Sequence, residues 1–228
     1  MDSLSGQLII TQGATLLVSL LDGLHFLEQF PYDCLEQQFS ALMPHLYLQQ
    51  LYKAVGETYN LKALSTVPPS KVDERSWVLN VDPALTVDQA IKDLLLSLHK
   101  YQNTDGGMLY RAPSTHQYAS SDLNLSVQVL NNLTLLKANN YTIDTTVITK
   151  LTNYLKAEFY RGKPASCSEC AYTLTQKLEI LDALLYYQYA QKTQDIELEK
   201  MYHQLSFTHS SFPTKLLQAR VLAKLPAQ

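Results

Sequence analysis

Apolar residues recur at intervals of three and four along most of the chain, which is the period of an amphipathic helix and not that of a strand. Leu17, Leu20, Leu21, Leu24 and Leu27 form a first stripe. Phe30-Pro31-Tyr32-Asp33 ends it, because the residue before a proline is pushed out of the α region, and a second helix is predicted from about Cys34 to Val55. Pro44 falls inside that span and predicts a kink or a new start. Residues 58–86, with Val67-Pro68-Pro69 and Asp82-Pro83, read as an irregular surface segment or a place where other domains dock. Order returns where Thr86 or Asp88 can cap a helix running to Tyr101, with Ile91, Leu94, Leu95 and Leu98 inward. Further helices are predicted at about 121–138, 144–160, 167–192, 195–205 and 213–225, about eight in all. No alternating strand pattern competes with them.

The 228 residues are 46% apolar with seven glycines, ample for one buried core, and residues 1–228 read as a single all-α domain. Leucine stripes and fifteen tyrosines describe the interior and rim of a helical protein and say nothing more about function. A net charge of −3, with 18 scattered Lys and Arg, leaves no electrostatic footprint for nucleic acid. The most apolar stretch, Leu8 to Phe30, is broken by Gln12, Asp22, His25 and Glu28, so direct membrane insertion is not expected. The N-terminus has neither the basic start nor the small-residue cleavage site of a signal peptide. The chain reads as cytosolic or as a domain of a longer exported protein.

One short run carries chemistry. In Cys34-Leu35-Glu36-Gln37-Gln38 a thiol stands three residues before a carboxamide, and the two can lose ammonia and join as a thioester. A Cys-x-Glu-Gln match alone is weak. The wider run Pro31-Tyr32-Asp33-Cys34-Leu35-Glu36-Gln37-Gln38, continuing through Pro44-His45-Leu46-Tyr47-Leu48, resembles the thioester domain of the alpha-2-macroglobulin and complement family in its bacterial form, with Leu after the cysteine. Asp33 departs from the pattern, standing where that family has glycine. At a positive φ Asp is accepted better than most residues and less freely than Gly. Tyr101-Gln102-Asn103-Thr104-Asp105-Gly106-Gly107-Met108 is similar to the repeating turn of α/α toroids, in which paired helices circle an axis. The fold implied is therefore a shortened or incomplete toroid.

The resemblance also implies roles. Cys34 and Gln37 would form the thioester, with Pro31, Tyr32 and Glu36 supporting the motif. Glu36 at the helix start is equally read as a favourable charge at the positive end of the helix. Asp105-Gly106, Ala112-Pro113 and His116-Gln117 follow the spacing of complement-type domains, which makes His116 the candidate for acyl transfer. A neutral imidazole can attack the thioester and release the Cys34 thiolate, favouring hydroxyl acceptors; without it, amines attack directly. A loop histidine without chemistry is the alternative reading of His116. Tyr32, Phe39, Met108 and Tyr110 are expected to shield the bond from water. The partners implied are attacking proteases or other nucleophile-bearing targets, and neighbouring domains of a larger parent, in the periplasm or outside the cell.

The remaining candidates are weaker. Cys167 and Cys170 are either tied together or two free helix cysteines; zinc would need four ligands, and no second pair or close histidine is present. His25 and His45 read as interior or boundary residues, and His99, His203 and His209 as surface positions. No cofactor or metal is expected. Two other functions compete: a helical scaffold of the same family without a working thioester, and an α/α toroid enzyme acting on diphosphates or glycans. The last lacks an Asp-rich metal motif.

Overall fold

The structure is a computed structural model and describes residues 34–54, 56, 87–113, 120–164, 169–207 and 211–225. The first stripe at 17–27, the segment 58–86, and Pro31, Tyr32, His25, His116, Cys167 and His209 lie outside the described residues.

Among the described residues helical periodicity is realised as seven α-helices: α1 (Leu35–Ala54), α2 (Val87–Ser97), which runs into a 3-10 turn (Leu98–Tyr101), α3 (Leu123–Ala138), α4 (Thr145–Arg161), α5 (Leu174–Gln191), α6 (Ile196–His203) and α7 (Phe212–Leu222). The only extended pairing among the described residues is two isolated bridges, Gln102 with Met108 and Met108 with Asp122. Helix starts follow side-chain oxygens that satisfy otherwise orphaned N–H groups. Asp122 accepts from the Leu125 N–H, Asp144 from Thr146, Asp195 from Glu197 and Ser211 from Thr214. Thr173 and Gln176 form a reciprocal capping box.

That box explains the largest displacement from the predicted boundaries. The helix expected from Cys167 starts at Leu174, and the described residues before it, 169–173, are not helical. Cys170 lies in this segment and is disulfide-bonded, so it is not a free helix cysteine. The Tyr172 N–H closes the segment back onto the Gly162 carbonyl at 2.7 Å. Pro44 neither breaks nor restarts α1, which continues through it for twenty residues. The burial of Phe39, Leu42, Met43 and Leu46 on both sides of the proline offsets the one hydrogen bond it removes.

Packing forms a ladder of alternate helices. α1 packs on α3, α3 on α5, and α5 on α7, while α2 lies against α1, α4 against α3 and α5, and α6 against α5. Six consecutive residues of α5, from Ile180 to Leu185, are buried, so this helix is surrounded at its centre, with Asp182 the one charged residue among the six. The four alternate helices run parallel. At their N-terminal ends the Thr175 and Thr214 hydroxyls meet at 3.0 Å, and Met108 bridges to Asp122 beside the start of α1. Toward the C-terminal ends Gln50 donates to Asn139, and the Lys137 ammonium lies 5.6 Å from the Tyr187 ring centre. Asp182 on α5 accepts from Arg220 and Lys224 at 2.7 and 2.6 Å, tying α7 to the surrounded helix. Such alternation is compatible with an α/α toroid. The connections entering the N-termini of α3, α5 and α7 are 102–122, 162–173 and 204–211. Those leaving the C-termini of α3 and α5, 139–144 and 192–195, are shorter.

Candidate functional site

Cys34 sits at the N-cap of α1, since its carbonyl accepts the first intrahelical bond, from Gln38 at 3.0 Å. The caps of α3, α5 and α7 are Asp122, Thr173 and Ser211, so a thiol replaces the usual oxygen at the fourth parallel helix. Gln37, three residues into the turn, folds its side chain back and its Oε1 lies 3.5 Å from the Cys34 nitrogen. This is half of a capping box, and it is the reason a Cys-x-x-Gln spacing at a helix start brings thiol and carboxamide into one turn. Cys34 is free and half-buried, Gln37 half-buried, and Glu36 exposed in the first turn.

A second element completes the site. The N–H of Leu35 donates to the Tyr110 carbonyl at 2.8 Å, and the Gln38 amide donates to the Tyr101 hydroxyl at 2.8 Å. The two sequence runs singled out above, 34–38 and 101–110, therefore meet. The second run is a tightly closed turn. Gly106 adopts φ 93°, the Asn103 N–H donates to Gly107, and the Gln102 amide donates to the carbonyls of Gly106 and Val147 at 3.0 and 2.9 Å. Asp105 accepts from the Gly107 N–H and from the Ser121 hydroxyl. Met108 donates its N–H to Ser126 of α3, which pins the turn to the next helix.

The expected shield divides. Phe39 and Met108 are fully buried members of the core, whereas Tyr110 is 41% exposed at the surface beside the site. Burial raises the Tyr110 phenol above its ordinary value, with the charges of Asp122, Glu36 and Cys34 adding to it. A cleft of about 420 Å³ opens next to Tyr110, lined by Asp105, Asp122, Tyr154, Glu158 and Tyr172 among others. Glu158 is 2% exposed and is held by Arg161 and by the Tyr172 hydroxyl. The Tyr154 and Tyr172 phenols are both pushed upward, first by burial and then by Glu158, so they stay neutral hydrogen-bond donors.

His45 is buried at 3% exposure within α1, and His99 and His203 are exposed. Ser121 and Ser126 escaped the sequence reading, because their partners Asp105 and Met108 lie 16 and 18 residues away, whereas Gln102 belongs to the turn motif read from the sequence and bonds to Gly106 and Val147. Among the described residues no His, Cys, Asp and Glu group is placed to hold a metal ion, and no helix is long and apolar enough to cross a membrane. Comparison with protein-family models, with curated proteins and with solved structures gave no match.

Proposed function

We propose that this chain is a thioester domain of the alpha-2-macroglobulin type, which captures an attacking protease or another nucleophile-bearing target by a single covalent acylation. The observation that carries the reading is the position of Cys34 at a helix N-cap with the Gln37 carboxamide folded back onto it. Addition of the Cys34 thiol to the Gln37 carbonyl carbon forms the S–C bond, and the side-chain nitrogen leaves as ammonia with the thiol proton. An incoming amine or hydroxyl then attacks the same carbon, the S–C bond breaks, and Cys34 regains a proton as the target becomes joined to residue 37. One such event consumes the site, so the domain inhibits without turnover. His116 is the acyl-transfer candidate of this reading, and hydroxyl acceptors are favoured if it acts.

The docking of Leu35 on Tyr110 supports the reading, because it holds the motif turn against the second run of the resemblance. The disulfide at Cys170 supports an oxidising location, periplasmic or extracellular, within a larger parent protein. The test is the intact mass of freshly purified protein with and without methylamine. A mass about 17 Da below the sequence value, methylamine uptake at Gln37 and one new thiol at Cys34 are expected. The full sequence mass with Gln37 unchanged would reject covalent capture and leave a helical protein-binding scaffold.

A further inference from the structure

A second groove, of about 680 Å³, runs between α3, α5 and α7. Asn124, Gln128 and Asn132 of α3 stand four residues apart along it, facing Gln176 and Glu179 of α5. The three α3 carboxamides have no hydrogen-bond partner among the described residues. Asp182 at the far end is outweighed by its two partners Arg220 and Lys224, so the groove is basic at that end and acidic at Glu179, which has no ion pair among the described residues. Among the described residues no aromatic ring lines the groove, and Val127, Pro213 and Leu217 supply its apolar part.

We infer that this groove binds an extended polypeptide segment through its main chain. A carboxamide matches the peptide group, donating to a carbonyl and accepting from an N–H at once. Steps of four residues on a helix advance about 6 Å, close to the roughly 6.6 Å over which an extended strand repeats its amides on one side. Recognition of this kind is indifferent to sequence except at Glu179, which selects a basic side chain. Without an aromatic platform the groove suits a peptide better than a sugar ring. Asn124 and Gln176 also line the cleft beside Tyr110, so the two depressions share a border and a bound segment is directed toward Tyr110, from which the thioester reading would carry it on to Cys34. Only that direction rests on the thioester reading; the binding does not.

The experiment is a nuclear magnetic resonance titration of the full chain carrying Cys34→Ser. The probe is a short end-blocked peptide of alternating Ser and Ala with one central Lys. Saturable shifts of the Asn124, Gln128 and Asn132 side-chain amides are expected. The double variant Asn124→Ala/Gln128→Ala should bind about tenfold more weakly, by the size of two exposed hydrogen bonds. Glu179→Gln should abolish the preference for the Lys peptide over its Glu counterpart. Absence of saturation, or shifts produced by a glucose hexasaccharide and not by the peptide, would overturn the proposal. Because no thioester can form in Cys34→Ser, the outcome is independent of the methylamine result.

Discussion

The main-chain N–H of Leu35 and the carbonyl of Tyr110, 2.8 Å apart, join the turn that carries Cys34 to the loop that follows Gly106-Gly107. Three of the four parallel helices bind their first N–H groups with side-chain caps; α1 also borrows a carbonyl from a neighbouring segment. The borrowed acceptor fixes the exposed face of Tyr110 beside Cys34 through backbone, not side-chain, geometry.

Tyr110→Ala is therefore expected to uncover Cys34 without undocking α1. Once methylamine has opened the bond, alkylation of the Cys34 thiol by iodoacetamide should run severalfold faster than in methylamine-treated parent protein, while stability changes by less than about 1 kcal/mol, as for a partly exposed side chain outside the core. An unchanged alkylation rate would show that Tyr110 shields nothing.

Cys34→Ser should raise thermal stability while abolishing acylation. Serine is among the best N-cap residues, and its hydroxyl can accept from the Gln37 N–H, an effect worth about 0.5–1 kcal/mol. A melting temperature equal to or below that of the parent chain would contradict the cap assignment. A rise would mean that the cysteine is held there at a cost to stability.

Gly106→Ala should be severely destabilising, by about 2–4 kcal/mol, and should also impair chemistry at Cys34. Gly106 has φ 93°, and a Cβ there would collide with the Lys150 carbonyl, which is backbone and does not move aside. Denaturant unfolding measures the loss. Gly56 also has positive φ but faces open space, so Gly56→Ala serves as a control with conformational strain alone.

Acid sensitivity is predicted at the contact between α4 and the start of α6. Lys156 reaches both Asp195 and Glu197, at 2.7 and 2.6 Å. Burial pushes the Asp195 carboxyl up, but the hydrogen bonds from Lys156 and the Glu197 N–H, with the Lys156 charge, outweigh it and hold the pKa low. The stabilisation is thus present above the unfolded Asp value of about 3.9 and is lost as pH falls through the lower folded value. Burial lowers Lys156, and its two carboxylate partners more than reverse that, so its share persists at neutral pH and fades only as pH rises through the raised folded pKa. Melting curves from pH 2 to 7 should show Lys156→Met losing stability at neutral pH and converging on the parent at the acid end. Parallel curves would exclude the linkage.

The helical periods of α1 and α4 were readable almost to the residue, at Cys34–Val55 against Leu35–Ala54 and 144–160 against Thr145–Arg161, because apolar spacing and a capping or breaking residue coincide there. The start of α5 was not readable. Ser166, Cys167, Ser168, Glu169 and Cys170 carry no turn or proline signal, and the true boundary is set by the Thr173–Gln176 box and by the disulfide at Cys170. Pro44 does not start a new helix, because its cost is local, whereas burial along α1 is spread over the whole helix. At the site, Cys34 and Gln37 stand out because their relation lies within one turn. Gln102 stands out as part of the Asp-Gly-Gly turn, whereas the hydroxyls of Ser121 and Ser126 become meaningful only once α3 is packed against that turn.

The uneven connections give the molecule two ends with different freedoms. Lengthening 139–144 or 192–195 would disturb the stacking of α3 on α4 and α5 on α6. The stretches 102–122, 162–173 and 204–211 are longer, so residues can be added to them without respacing the helices, provided that the turn 102–108 and the caps Asp122, Thr173 and Ser211 are kept. Changes of loop length would therefore collect at the end bearing Cys34, while the leucine-packed scaffold keeps its spacing.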